Sequence, residues 1–339
     1  MVEITQIADH QPAFASTDLP VTPRPIGKPG LAEPPLVSII ITHFNYSEHV
    51  EAAIRSVLAQ THTNWECVVV DDCSDKAHAQ KVSHVVGSFN DDRVRLELLD
   101  ENVGQIHAFF SGLEKTSGEF VCLLDPDDRY TPTFLEDVLA AHLNLFVMCP
   151  LVCTDQILVT DRGIIGSGLC SKVHLAAMQR RGQAIELVEP ASPRLLYYPA
   201  SASGWHWTST SAMMFRRSAI KYMRPRKPLS YRGNADSYLA QAAHAIGGSL
   251  FLAKGLIYRT MHDNNAWIKS EIYASSQDRR RPDGPRSALQ AHLDCIEAMR
   301  TNGLPADEQE RADRSTALPG KRLRRMFRKW KKSLKKRMN

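Results

Sequence analysis

Four segments gather acids, hydroxyls and amides where apolar runs stop: Thr42-His43-Phe44-Asn45, Asp71-Asp72-Cys73-Ser74-Asp75, Asp100-Glu101-Asn102 and Asp125-Pro126-Asp127-Asp128. One aspartate after an apolar run is ordinary. Carboxylates crowded at several such ends repel one another unless a cation or a donor-rich ligand lies among them. Mg²⁺ or Mn²⁺ meets that need with one or two protein carboxylates, retained water and phosphate oxygens, so a diphosphate is its natural companion. The chain offers no glycine-rich phosphate cradle: neither GxGxxG nor GxxxxGK[ST] is present, and the first apolar run passes straight into Thr42 and His43. The charge of a pyrophosphate therefore falls to a metal to neutralise.

The elements that would bring these segments together can be read from periodicity. Residues 36–42 form a β-branched apolar run of the kind expected for a buried parallel strand. Ser47 is placed to cap a helix whose Val50, Ile54, Val57 and Leu58 share one face. Strands at 65–70, 94–99 and 120–124 then alternate with helices at 76–86, 103–115 and 133–143. That alternation predicts an α/β fold, a mostly parallel, Rossmann-like sheet flanked by helices. Ligands of such sheets bind outside the carboxyl ends of the strands, where the four polar segments fall. Beyond residue 150 the alternation weakens. A strand at 148–155, a hairpin at 157–165 turning on Asp161-Arg162-Gly163, a strand at 209–215 and a helix at 236–246 predict a second, mixed subdomain.

Composition narrows the classes. At 339 residues, with 43% hydrophobic and 23% charged residues, most of the chain is expected to fold. No uncharged apolar run approaches the roughly 18 residues that span a bilayer, and the first thirty residues lack a basic start followed by an apolar core. The expectation is a cytoplasmic protein. Seven scattered cysteines with no CxxC pair support neither zinc nor a redox couple, and Cys149 and Cys153 read as small buried apolar residues. The formal charge of +5 is concentrated: eleven Lys and Arg and no acid fall in residues 321–339, which leaves the rest net negative. A folded surface without a cationic footprint argues against nucleic acid as a partner.

The runs VSIIITHFNYSEHVEAAIRSVLAQT, VVVDDCSD and ENVGQIHAFFSGLEKTSGEFVCLLDPDD, the later SAMMFRRSAI and the stretch Asp236-Ser237-Tyr238-Leu239 together resemble the family 2 glycosyltransferases of the GT-A fold. The resemblance covers roughly residues 36 to 265. It implies inverting transfer of a sugar from a UDP- or GDP-linked donor to the hydroxyl of a saccharide or lipid-linked acceptor, assisted by Mg²⁺ or Mn²⁺. It implies a nucleotide-sugar half at 36–155 and an acceptor half at 156–270. Thr42 and Phe44, with Asn45 beside them, match positions that receive the nucleotide; Phe44 stands where Tyr is usual. Asp72 resembles the acid that hydrogen-bonds the base, with Asp71 adjacent. Asn102 and Gly104 match the following block, in which Phe110 replaces a common Asn. Asp127 resembles the acid on the ribose and diphosphate side and Asp128 the metal ligand, while Asp125 and Asp127 also spell DxD; the register stays open. Asp236 matches the catalytic base, although Ala235 stands where Glu is common. His262 matches a residue near the diphosphate and is a candidate metal or phosphate ligand.

Other features carry two readings each. Trp205 and Trp207 could form a stacking platform for an acceptor sugar, or pack in the core. Ser74 and Asp75 could belong to the site or cap a helix. The proline-rich residues 1–35 read as an extended arm, 275–287 as a mobile charged segment within an extension at 271–319, and 320–339 as a basic tail. In that tail Leu323, Met326, Phe327, Trp330 and Leu334 fall on one helical stripe. This fits an amphipathic helix on anionic membrane, hence a peripheral location on the inner face of the cell membrane; a solvated tail or an RNA-binding arm are the other readings. A non-catalytic binding or scaffolding protein on the same fold is the rival from another class. A nucleotidyltransferase would bring an early glycine-rich triphosphate loop, and none is present.

Overall fold

The computed structural model describes residues 33–144, 147–161, 163–167, 185–187, 195–202, 206–262, 284–306 and 309. The proline-rich arm through residue 32, Trp205, the segment 275–283 and the basic tail lie outside them. The first half runs β1 (Val37–His43), α1 (Ser47–Leu58), β2 (Trp65–Asp71), α2 (Lys76–Ser88), β3 (Val94–Leu98), α3 (Gln105–Glu114) and β4 (Phe120–Leu124). β1 is buried along its whole length because it pairs in parallel with β2 on one side and β4 on the other. That double pairing explains an uninterrupted apolar run in place of an alternating one. The register sets Ile41 against Leu124 and His43 against Asp71, so three strands end at one level and release their polar residues along one edge.

The second half contributes β5 (Arg129–Tyr130), α4 (Phe134–His142), β6 (Leu151–Thr160), β7 (Gly163–Ser167), β8 (Ile185–Leu187), β9 (Leu195–Tyr198), β10 (Met213–Arg216), α5 (Arg217–Ile220), α6 (Ala235–Gly247), β11 (Ser249–Thr260) and α7 (Gly284–Thr301). Among the described residues one sheet joins both halves in the order β3-β2-β1-β4-β10-β6-β11-β9-β8, with β5 on β11 and β7 on β6. β10 is antiparallel to both β4 and β6, which marks the change from a parallel to a mixed sheet.

Several local expectations are corrected. Ser47 begins α1 and does not cap it: Tyr46 is the capping position without a side-chain bond, and Ser47 Oγ bonds His78 Nδ1 at 2.8 Å. The strand expected at 209–215 opens with a 3-10 turn, Thr210–Ala212, before β10. Residue 155 lies inside β6, so the sheet continues through the boundary drawn there. Residues 284–287, counted with the mobile charged segment, belong to the backbone of α7.

Helix α3 lies close over β1 and β2 because Gly112 carries no side chain; a Cβ there would stand 2.7 Å from Ile40 Cγ2 and 2.9 Å from Val70 Cγ2. Gly112→Ala should cost about 1–3 kcal/mol by overpacking. A denaturant midpoint equal to that of the wild type would contradict this contact.

Burial also holds three histidines neutral: His142 is driven down to about 3, and His244 and His292 to about 4. Below the unfolded value of 6.5 the unfolded chain takes up protons that the folded chain refuses. Their stabilising effect is therefore complete above about pH 6.5 and is lost as pH falls toward 4, at about 1.4 kcal/mol per pH unit for each group. Because Asp125 and Asp128 titrate in the opposite sense, the effect is read as a difference: between pH 7 and pH 5, His142→Gln should lose less unfolding free energy than the wild type, by about 1.4 kcal/mol per pH unit below 6.5. An unchanged slope would contradict the assignment.

Candidate active site

Thr42, Phe44, Asp72, Asn102, Gly104 and Arg232 line, with His43, Tyr46, Gln105 and Pro126, a cleft of about 580 Å³ at the carboxyl edge of β1, β2 and β4. Phe44 is 48% exposed, which leaves an aromatic face open to stacking. Thr42 is buried, and its Oγ1 has no hydrogen-bond partner among the described residues. His43 Nδ1 accepts the Tyr46 N–H at 3.1 Å, which requires an unprotonated Nδ1; burial lowers its pKa.

Asp72 follows β2 directly. Its Oδ1 accepts the Val103 N–H at 2.7 Å and its Oδ2 the Gly104 N–H at 2.8 Å, while Asn102 Nδ2 donates to the Asp72 carbonyl at 3.0 Å. Burial raises the Asp72 pKa, and the two amides together with Arg232 oppose that rise. Gly104, at φ +85°, gives this loop its sharp entry into α3.

The acid motif is a turn after β4, closed by the Asp128 N–H donating to the Asp125 carbonyl at 3.1 Å. Ser211 stitches it from the second half. Its Oγ accepts the Asp125 N–H at 3.1 Å and donates to Asp128 Oδ2 at 2.6 Å. Gln105 Nε2 donates to Asp125 Oδ1 at 2.8 Å. Antiparallel pairing of Tyr130 with Ile257 and Arg129 with Tyr258 then runs the end of β11 alongside the motif. As a result the Thr260 N–H donates to Asp128 Oδ1 at 3.1 Å, and His262 Nε2 donates to Asp127 Oδ2 at 3.0 Å. Asp128 is only 3% exposed. Burial, then repulsion from Asp127, push its pKa up to about 7, and Ser211, Arg259 and Thr260 oppose the shift. Burial and the charges of Asp128 and Asp127 drive Asp125 well above the usual carboxylate range; Asp236 adds to the same effect and Arg259 opposes it.

Asp236 stands in the first turn of α6, with Oδ1 accepting the Ser237 N–H at 2.7 Å. Its charge acts on Asp125, which couples a carboxylate of the second half electrostatically to the acid motif of the first. Tyr46, His49 and His262 group their rings beside Asp127: His49 and His262 stack with centroids 5.1 Å apart, and Tyr46 lies 5.8 Å from His262.

Other candidates take different places. Asp71 is buried, accepts the Ser74 N–H at 3.1 Å and the Ser74 hydroxyl, and does not line the cleft. Asn45 is also absent from the lining; at φ 54° its N–H donates to Ser74 Oγ and its Oδ1 accepts the Asp75 N–H, tying two edge loops together. Of the two readings of Trp207, core packing is the one realised: Trp207 is 2% exposed, donates Nε1–H to Ser249 Oγ at 3.0 Å and packs edge-on against His244, so it offers no platform to a sugar. Arg232, Ser211, Gln105 and Tyr46 are not singled out by the sequence reading. Tyr46, Gln105 and Ser211 each lie inside a run that carries the family resemblance, whereas Arg232 lies in none.

The chain that carries this edge matches known proteins in family and in fold. A glycosyl transferase family 2 model matches residues 38–222, more than half of the chain, and the chain belongs to that family. Among relatives, an uncharacterized glycosyltransferase of Nostoc sp. is 27% identical over 253 residues, 73% of this chain and 71% of its own. A putative teichuronic acid biosynthesis glycosyltransferase of Bacillus subtilis, TuaG, is 35% identical over 102 residues, 30% of this chain and 40% of its own, so the match spans less than half of that relative. TarS from S. aureus, solved with UDP, superposes with a TM-score of 0.52 at 19% identity, covering 83% of this chain and 69% of its own. A mannosyltransferase from Pyrobaculum calidifontis, solved with GDP-Man and Mn²⁺, gives 0.51 at 15% identity, covering 92% and 83%. The fold is accordingly of the GT-A type, and the protein is a glycosyltransferase.

Proposed function

We propose that this glycosyltransferase moves a sugar from a nucleoside diphosphate donor to an acceptor hydroxyl with inversion, in the building of a cell-envelope polysaccharide or glycolipid. The observation that carries the reading is a cleft with an open aromatic face, Phe44, on the same sheet edge as an acid turn whose Asp128 is buried and whose Asp125 feels the charge of Asp236. In this reading the base stacks at Phe44 near Thr42 and Asp72, and the diphosphate lies toward Asp127, Asp128 and His262.

Those residues fit a divalent cation. Their donors are hard oxygens and an imidazole nitrogen, and the charges of Asp127 and Asp128 raise the pKa of Asp125 while that of Asp127 raises Asp128, a surplus of negative charge that a cation would relieve. Among the described residues no group of three His, Cys, Asp or Glu could hold a metal ion by itself, so phosphate and water would have to complete its shell. When bound, Mg²⁺ or Mn²⁺ would supply charge stabilisation for the departing diphosphate. The chain's own part is acid–base. Asp236 takes the proton of the acceptor hydroxyl, whose oxygen bonds the sugar C1 on the face opposite the diphosphate. The C1–O bond to phosphate breaks with its electron pair leaving on that oxygen. The relatives and neighbours support the choice of donor class: their names carry UDP, GDP-Man and teichuronic acid.

A lipid-linked acceptor would place the protein on a membrane surface. No helix among the described residues is long and apolar enough to cross one. The stripe and cations of residues 321–339 support peripheral attachment to anionic lipid, which removal of that tail should abolish in a liposome sedimentation assay. The donor reading is tested by a thermal-shift panel of UDP- and GDP-linked sugars with Mn²⁺. A true donor at 100 times its Kd adds about 2.7 kcal/mol and raises the midpoint. If no member of the panel moves it, the reading fails and the scaffold alternative gains.

A further inference from the structure

Residues 231–236 run from the second half across the cleft and then into α6, which carries Asp236. At Arg232 this segment is docked on the first half. The Arg232 carbonyl accepts the Gln105 N–H at 3.0 Å, and its Nη1 donates to both the backbone carbonyl and the side-chain Oδ1 of Asn102. The two backbones meet because residue 104 is glycine: a Cβ there would stand 3.3 Å from Arg232 Cα. The guanidinium is exposed and lines the cleft, and its Nε and Nη2 bond no described residue.

Which part of a donor this cation meets follows from the sheet. The strands run β2-β1-β4, so the end of β2, with Asp72, lies two strand spacings from the end of β4, with the acid turn. At about 4.8 Å per spacing that is about 10 Å. A ligand whose diphosphate lies at the acid turn has its other end over β1 and β2. Arg232 belongs to that end: its charge acts on Asp72, whereas the cation acting on Asp125 and Asp128 is Arg259. Beside it, each Asp72 oxygen is bonded to one backbone amide and keeps a second lone pair. The cleft end thus offers an anionic acceptor next to a planar cationic donor. A lactam edge, N–H beside C=O, complements that pair, and uracil and guanine both carry one.

We propose that Arg232 is a base-recognition residue, donating from its guanidinium to a carbonyl oxygen of the nucleobase while Asp72 accepts the N–H of the same edge. The inference rests on the reading of the cleft as a nucleotide-sugar site. It also means that the segment bearing Asp236 is seated partly on the nucleotide it serves.

The test is isothermal titration of wild type and Arg232→Ala with uridine, UMP and UDP, and with guanosine, GMP and GDP, Mn²⁺ present throughout and displacement titrations for the weak ligands. Wild type should bind one diphosphate series, which identifies the base. R232A should weaken nucleoside, monophosphate and diphosphate of that series by a similar factor, about 10- to 100-fold, as loss of a charged hydrogen bond predicts. Unchanged affinity overturns the proposal, and so does a loss that grows with each phosphate, since the guanidinium would then be a phosphate cation. If wild type binds neither UDP nor GDP, the nucleotide-sugar reading itself has failed. Should R232A melt well below wild type, Arg232→Lys decides, because it keeps charge and backbone docking but not the planar fork. Equal weakening for nucleoside and diphosphate supports the proposal, and wild-type affinity overturns it.

Discussion

Asp236→Asn should stop sugar transfer and leave donor binding intact. The amide is isosteric and retains an oxygen to accept the Ser237 N–H, so the first turn of α6 keeps its local bond. It cannot take a proton at neutral pH. A positioned general base contributes roughly 10²- to 10⁴-fold, and kcat at saturating donor and acceptor should fall by that factor. The affinity for UDP or GDP with Mn²⁺ should stay within about twofold, because Asp236 lies on the acceptor side of the acid turn in this account. Stability should change little: one anion near a helix N-terminus is worth about 0.3–1 kcal/mol. A variant with wild-type kcat would remove Asp236 from the mechanism. A variant that loses nucleotide instead would make it a donor ligand.

The second large effect is expected at the acid turn. Asp127→Asn and Asp128→Asn should each lower transfer by roughly 10²- to 10³-fold, the usual cost of losing one stabiliser of developing charge. They should also erase the difference between UDP or GDP affinity in Mn²⁺ and in EDTA. Asparagine is the informative choice at Asp128. Alanine would leave the Thr260 N–H and the Ser211 hydroxyl without their acceptor in a buried place, about 1–3 kcal/mol each, and would confuse folding with function. At Asp127 the same change keeps an oxygen to accept the His262 Nε2–H and leaves the Asp125–Asp128 turn closed. If both variants still distinguish Mn²⁺ from EDTA as the wild type does, the cation is held elsewhere.

The parallel half of the fold was legible for a physical reason. Strands buried on both faces write themselves as unbroken apolar runs, and β1, β2 and β4 do so, with the intervening helices announced by their apolar periodicity. The mixed half was not, because its order depends on partners distant in the chain: β10 sits between β4 and β6, and the two-residue β5 pairs with β11 some 128 positions later. The site divides in the same way. Asp72 and the acid turn follow strands directly, so counting to the end of an apolar run places them at the sheet edge. The same count also delivers Asp71 and Asn45, whose polarity serves the loops, since a residue type does not reveal which way its side chain turns. Trp207 fails similarly: an indole can stack on a sugar or bury in a core, and only the placement of Ser249 and His244 decides. Arg232 reaches the cleft, and Ser211 the acid turn, from the other half, and their distance in sequence hid them.

Crystals soaked with MnCl₂ and either UDP or GDP, measured at the manganese edge, should show one anomalous peak at the turn formed by Asp127 and Asp128, shared with the diphosphate, and a base against Phe44 beside Asp72. Nucleotide bound away from that turn, or a turn without manganese when nucleotide is present, would contradict the proposed site.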